Sequence, residues 1–390
     1  MKYLNVSNFC QRIKTVNGFK VFLFNFPRIE DVIRWSLFIR WANFLTLFGC
    51  GLSALCFFRA LIQILAKLMT PTSQNIDLVS SAIPNLHRFA HKAMATIYEI
   101  FIVTEDAGYA QQAAYAAFNE LDRLEQELSR FLPNSDITRI NHLAAQQALC
   151  LGLDAFECLK LSRRISEETN GAFDVTIGPL MQCWLNPDKT LRSPSAEELA
   201  KARRNIGMTL LELDEAQHTV TLQASPMHVD LGAVGKGYAV EVMTNLLHEW
   251  DIEIALIHGG RSSVFALGAP PEKSGWPLTL SHPMRPGEIL NHLALCNQAI
   301  SGSGLQKGQH IINPRTGQPL SGKRATWAIT PDAATSDAIS TAFMNMTPEE
   351  IAAYCEQHRE LRALLITQDE DAPPEKILRF GAWEEAGVLA

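Results

Sequence analysis

A chain of 390 residues with 47% hydrophobic side chains can bury one large core or two medium ones, as a soluble enzyme body would. Its formal net charge of −7, with no long basic stripe, argues against nucleic acid as the main partner. The eight cysteines form no C-x-x-C pair and no zinc-type spacing, so a disulfide framework is not expected and most read as buried thiols.

The chain opens with a basic region, residues 1–68. Lys2, Arg12, Lys14, Lys20, Arg28, Arg34 and Arg40 stand there against Glu30 and Asp31, ahead of residues 41–58, which carry no charge. That run lies near the lower limit of about 17–25 residues for a spanning helix, and the apolar character extends over about 38–60. The expectation is a single membrane anchor with the N-terminus in the cytoplasm and the remaining chain outside it. The alternative is a cytoplasmic product starting at Met69; a cleaved signal fits less well because the basic region is so long.

Residues 69–90 are polar and turn-rich and read as a linker into a body spanning 91–385. IYEIFIV (97–103) alternates as a half-buried strand, and residues 107–130 form an Ala- and Leu-rich amphipathic helix broken at Pro133. A helix over 153–169 stops at Asn170-Gly171, and Ser195 with Glu198 makes a capping box for a helix at 196–204. Strands follow at LLELD, HTVTLQ, IEIALIH, SVFALG, PLTLSH, HLALCNQAIS and TWAIT. Helices at about 238–250, 333–345 and 348–358 are interspersed among them, and the mixture predicts an α+β fold.

Chemistry concentrates in DLGAVGKGYAVE (230–241), where Gly232, Gly235 and Gly237 leave backbone N–H groups free to face an anion beside Lys236. A P-loop would need Gly where Asp230 stands and Ser or Thr where Gly237 stands, and G-x-G-x-x-G is missing, so neither nucleotide fingerprint applies. By itself the run is equally well a glycine-rich turn opening a helix.

Together with HKAMATIYEIFI (91–102), NGAFDVTIGPLMQCW (170–184), SGSG (301–304), HIINPRTG (310–317) and SDAISTAF (336–343), the run makes the chain resemble the ApbE family of FAD:protein FMN transferases over roughly residues 87–370. The resemblance implies a single domain of two helix-on-sheet modules with the nucleotide between them. It also implies transfer of FMN from FAD to a Ser or Thr hydroxyl of an acceptor protein bearing a Ser/Thr-rich flavinylation motif, with release of AMP. The cofactor implied is Mg2+, with Mn2+ as the alternative.

Carried over residue by residue, the resemblance assigns metal ligation to Asp337, Thr341 and the backbone carbonyl of Ala233. Asp337 and Thr341, four apart in a predicted helix, share a face, and a hard divalent cation prefers their oxygens. FAD contacts fall to Met94, Ala172, Phe173, Asp174, Asp230, Lys236, Ser301, Gly302 and Ile311, and the base for the acceptor hydroxyl to His310, whose ordinary titration near 6.5 suits that task. The bland readings are an N-terminal-turn Asp337, a solvated Lys236, a capping Asp230 and core roles for Met94 and Phe173.

The chain departs from the family pattern at Arg261, which follows Gly259-Gly260 where Asp is usual, and at Ala95, Glu241, Asn313 and Ser336. These changes bear on how an acceptor docks. Two further functions share the site: an FAD pyrophosphatase using water as nucleophile, and a protein that holds FAD without turning it over.

Overall fold

Side chains that alternate between two apolar environments build one wide sheet. The computed structural model describes residues 10–16, 19–24, 76–78, 83–186, 190–285, 287–305, 311–320, 323–369 and 372–383. The chain divides into two units, residues 1–70 and 71–390. In the first, the described residues form an antiparallel pair, Cys10–Val16 with Phe19–Phe24. The expected anchor at 41–58 lies outside the described residues, and among those residues no helix is long and apolar enough to cross a membrane.

In the second unit eight strands lie in the order Ala372–Phe380, Arg362–Asp369, Lys323–Thr330, Gln298–Gly304, Ser263–Leu267, Ala255–Gly259, Thr96–Val103 and Leu86–Ala93, every neighbour antiparallel. Tyr98, Ile100, Ile102, Ile257, Ala299, Ala328 and Leu365 point to one face and share a core with three helices, Ala107–Leu128, Gly235–Glu249 and Ala333–Asn345. Their sequence neighbours Leu256, Ile300, Trp327, Ile329 and Leu364, together with Val264, point to the other face. There they meet Trp276, Leu278 and Leu293 of a three-stranded sheet built from Ile289–Leu295, Trp276–Ser281 and Ile76–Leu78. This is the period-2 arrangement of a sheet covered on both sides.

The helices follow from their sequences. Ala107–Leu128 is capped by Asp106, whose side chain accepts from Tyr109 N, and it buries a stripe from Ala110 through Ala117 to Leu128. Its alanines let the helix lie close to the sheet. The Ser195/Glu198 capping box forms as expected, and a second one, Thr347 with Glu350, starts the helix Pro348–Gln357. A smaller module stands beside the main one. Its sheet, Ala148–Cys150, Thr219–Leu222 and Leu211–Asp214, adjoins the helix Leu153–Glu168, with Arg163 donating to the Leu211 carbonyl. The α+β expectation holds, with the two modules unequal in size.

Four local expectations change. Leu86–Ala93 is an edge strand that begins inside the segment read as a linker, because its partner Thr96–Val103 supplies the hydrogen bonds that its polar sequence does not advertise. HLALCNQAIS is two strands in two different sheets, separated at Asn297, whose φ of 52° takes the chain into the left-handed region. Ala372–Phe380 carries two prolines, which suits its place at the opposite edge and hid it as a strand. Finally, the helix expected from 238 starts at Gly235, which brings Lys236 and Gly237 into its first turn.

The hairpin joining Leu86–Ala93 to Thr96–Val103 turns in two residues, Met94 and Ala95, at φ of 48° and 58°. Two positive values define a turn that ordinarily recruits Asn and Gly, and each non-glycine residue there costs roughly 1–2 kcal/mol. Ala95→Gly should therefore raise unfolding stability by about 1 kcal/mol in a urea titration. An unchanged or lower midpoint would show that the hairpin relaxes without strain.

Candidate active site

The glycine-rich run folds as a turn, residues 232–234, feeding the helix Gly235–Glu249. Its first turn packs against the helix Ala333–Asn345. A Cβ at Gly237 would stand 2.2 Å from the Ala333 carbonyl oxygen and 2.5 Å from Asp337 Cβ. Glycine is thus required at 237 by the approach of two helices, and its N–H goes to Asp337 Oδ2 at 2.9 Å, not outward to an anion. The Gly232 N–H is likewise taken, by Asp230 Oδ1 at 2.8 Å.

Asp337 is 2% exposed, and Lys236 Nζ lies 3.1 and 3.3 Å from its two carboxylate oxygens. The helix is capped by Asp332 through Thr335 N, so Asp337 sits a full turn inside it and is not the N-terminal aspartate of the bland reading. One turn further on is Thr341, the one residue of Ala333–Asn345 that is not buried. Thr341 Oγ1 and Ser303 Oγ share a hydrogen bond of 2.8 Å, Ser303 Oγ meets Ser340 Oγ at 2.9 Å, and Ser340 donates to the Asp337 carbonyl at 2.9 Å. Lys236, Asp337, Thr341 and Ser303 therefore make one polar corner where the two helices meet the strand Gln298–Gly304.

Asp230 Oδ2 forms an ion pair with Arg130 Nε at 3.1 Å, and the Arg130 guanidinium lies over the Phe131 ring, 4.2 Å from its centroid. Phe131 is 75% exposed, an open aromatic face beside a charged pair. Neither Arg130 nor Phe131 was singled out by the sequence, since an exposed aromatic after a helix end carries no periodic signal. Ser303 was missed too, although its spacing from Ser301 puts both on one face of a strand.

Asn170 and Gly171, both at positive φ, end the helix Leu153–Glu168 and turn the chain into Ala172 and Phe173, which are buried in the main core. Asn345 Nδ2 donates to the Ala172 carbonyl at 2.9 Å, which ties this element to the last residue of the helix carrying Asp337. Asp174 Oδ1 accepts from Thr176 N and Oγ1 at 2.7 and 2.6 Å, while burial pushes its carboxyl above the ordinary carboxylate range. Asp174 also lines a cleft of about 720 Å³ with Arg163, Asn170, Thr209 and Glu212, a volume within the usual span for a small-molecule site.

Met94 donates its N–H to Glu125 Oε1 at 2.8 Å and accepts from Tyr98 OH at its sulfur, 3.3 Å away. Tyr98 is fully buried, and its phenol is pushed up by that burial and then by the charges of Asp337 and Glu125, which brings the hairpin tip within electrostatic reach of the polar corner.

Ser301 is fully buried, with no described partner for its hydroxyl, and Gly302 N donates to the Ser262 carbonyl at 2.8 Å. Ile311 is nearly buried, and its carbonyl accepts from Leu320 N. His310 lies outside the described residues. Of the unusual positions, Arg261 is exposed, Asn313 Oδ1 accepts from Arg315 N at 2.9 Å, and Glu241 Oε2 accepts from Ala334 N at 3.0 Å in the first turn of the Asp337 helix.

Among the described residues, no three His, Cys, Asp or Glu side chains converge on one point. What the corner offers is the buried Asp337 carboxylate and the hydroxyls of Thr341 and Ser303, all oxygen donors. A set with a single carboxylate suits Mg2+, which keeps several waters and completes its shell with substrate phosphates. The Lys236 ammonium lies against both oxygens of Asp337, so the charge of this carboxylate is balanced by the chain itself.

The family model described as the ApbE family matches residues 94–365. An FAD:protein FMN transferase of Klebsiella pneumoniae (strain 342) is 28% identical over 274 residues, covering 66% of this chain and 78% of that protein. One from Escherichia coli (strain K12) is 26% identical over 296 residues, covering 72% and 84%. Among solved structures, the apo form of Pseudomonas stutzeri flavinyl transferase ApbE superposes with a TM-score of 0.69 at 24% identity, covering 78% of this chain and 98% of that one. Flavin transferase ApbE from Vibrio cholerae gives 0.67 at 22%, covering 77% and 99%.

Proposed function

Because this chain belongs to the ApbE family, we propose that it transfers FMN from FAD to a Ser or Thr hydroxyl of an acceptor protein and releases AMP, with Mg2+ as its cation. The observation that carries the reading is the buried Asp337 carboxylate, met by Lys236 and the Gly237 N–H and set one turn from the half-exposed Thr341.

In this reading Asp337, Thr341 and the Ala233 carbonyl would hold the cation. When bound, it supplies Lewis-acid polarisation of the pyrophosphate. Lys236 neutralises phosphate charge, and Asp230, paired with Arg130, contacts FAD. The segment Ala172–Asp174 is tied at the Ala172 carbonyl, through Asn345, to the helix that carries Asp337 and Thr341, which supports a common site for FAD and the cation.

The acceptor oxygen forms a bond to the FMN-side phosphorus as the bond from that phosphorus to the bridging oxygen breaks. AMP leaves with that oxygen, and the hydroxyl proton passes to a base. The resemblance gives that role to His310.

The test is incubation of the protein with FAD, Mg2+ and Ser/Thr-containing peptides, followed by mass analysis. The expected product is a peptide heavier by FMN with AMP released in equal amount, and FAD should bind in preference to NAD or ATP. Free FMN and AMP without adduct would favour the pyrophosphatase. Bound, unchanged FAD would favour storage.

A further inference from the structure

Lys236 and Gly237 are consecutive residues that grip the same carboxylate. The ammonium lies 3.1 and 3.3 Å from the two oxygens of Asp337, and the Gly237 N–H lies 2.9 Å from Oδ2. The carboxylate is 3% exposed and Lys236 25%. An ionised carboxylate this buried needs a counter-charge, and here the chain supplies its own. A divalent cation on Asp337 would meet the ammonium as a like charge across one carboxylate, where repulsion is strongest. Both can stay only if a further anion joins them, and the pyrophosphate of FAD is such an anion.

We infer that Lys236 is an exchangeable counter-ion: it holds Asp337 until FAD arrives, then swings to the pyrophosphate and leaves the carboxylate to the cation. The inference rests on the reading of Asp337 as a cation ligand. The geometry favours an exchange over a fixed salt bridge, because one end of the pair is rigid and the other is not. Asp337 is fixed within a helix by its neighbours and by Gly237, whereas Lys236 reaches it on a flexible four-carbon stem that is partly open to solvent.

The consequence is reciprocal coupling. FAD raises cation affinity and the cation raises FAD affinity by the same factor. Lys236 therefore acts as a positioning residue for the cation, keeping the corner from loading metal before the substrate is present.

The experiment measures Mn2+ binding to the full chain by the electron paramagnetic resonance signal of free Mn2+, with and without FAD. In the unaltered protein FAD should tighten Mn2+ by about tenfold or more. Lys236→Met keeps the stem and removes the charge, so it should bind Mn2+ without FAD about tenfold more tightly than the unaltered protein, and FAD should tighten Mn2+ by a smaller factor than it does in the unaltered protein. Lys236→Arg should retain the coupling. Lys236→Gln takes the place of the methionine variant should that one not fold, as judged by circular dichroism.

Two failures are distinguishable. If the uncharged variants bind Mn2+ no more tightly while Asp337→Asn abolishes Mn2+ binding, the exchange is wrong and the ligand assignment stands. If Asp337→Asn leaves Mn2+ binding unchanged, the cation reading of Asp337 falls, and the exchange with it.

Discussion

Asp337→Asn should lower FMN transfer at saturating Mg2+ by about a thousandfold or more, while the protein stays folded and still binds FAD. Asparagine keeps the shape of the side chain and an oxygen able to accept the Gly237 N–H, so the helix contact survives. What it removes is the one carboxylate of the corner, and with it the charge that would anchor a divalent ion. Lewis-acid activation of a phosphoryl oxygen contributes several kcal/mol, and each 1.36 kcal/mol is a factor of about ten in rate. Peptide flavinylation and FAD titration on the same preparation check both halves. Transfer within tenfold of normal would place the cation elsewhere.

Gly237→Ala should cost about 3 kcal/mol of stability and most of the transfer activity, whereas Gly235→Ala should be neutral or mildly stabilising. The added methyl at 237 meets the backbone oxygen of Ala333 at 2.2 Å and Asp337 Cβ at 2.5 Å, and a main-chain atom cannot rotate aside. The two helices must part, which overpacks or opens a region where neighbouring side chains are fully buried. The same shift draws Lys236 away from Asp337. At 235 the added methyl finds only Leu231 Cβ at 3.7 Å, an ordinary contact, and alanine is the better helix former by about 1 kcal/mol. Urea midpoints of the two variants test the contrast, and equal midpoints would refute the close-packing explanation for glycine at 237.

Local patterns were legible in the chain itself wherever the deciding interaction is local. The cap at Ser195, the alanine stripe of Ala107–Leu128 and the alternation of Thr96–Val103 are set by residues a few positions apart, and each element forms where its pattern lies. So does the helix that puts Asp337 and Thr341 on one face, because four residues make about one turn. The order of six motif blocks also sufficed for the family.

Contacts between distant positions were settled by the tertiary structure alone. Lys236 and Asp337 are 101 residues apart, and only the packing of two helices on a common sheet brings them to 3.1 Å. That packing also reverses the meaning of Gly237, from a free N–H for phosphate to a helix contact. It makes a strand of Leu86–Ala93, whose residues 86–90 read as the end of a polar linker, by offering it an open edge. Periodicity in a sequence records which side of an element is buried, but the identity of what covers that side is fixed by the summed burial of the whole core.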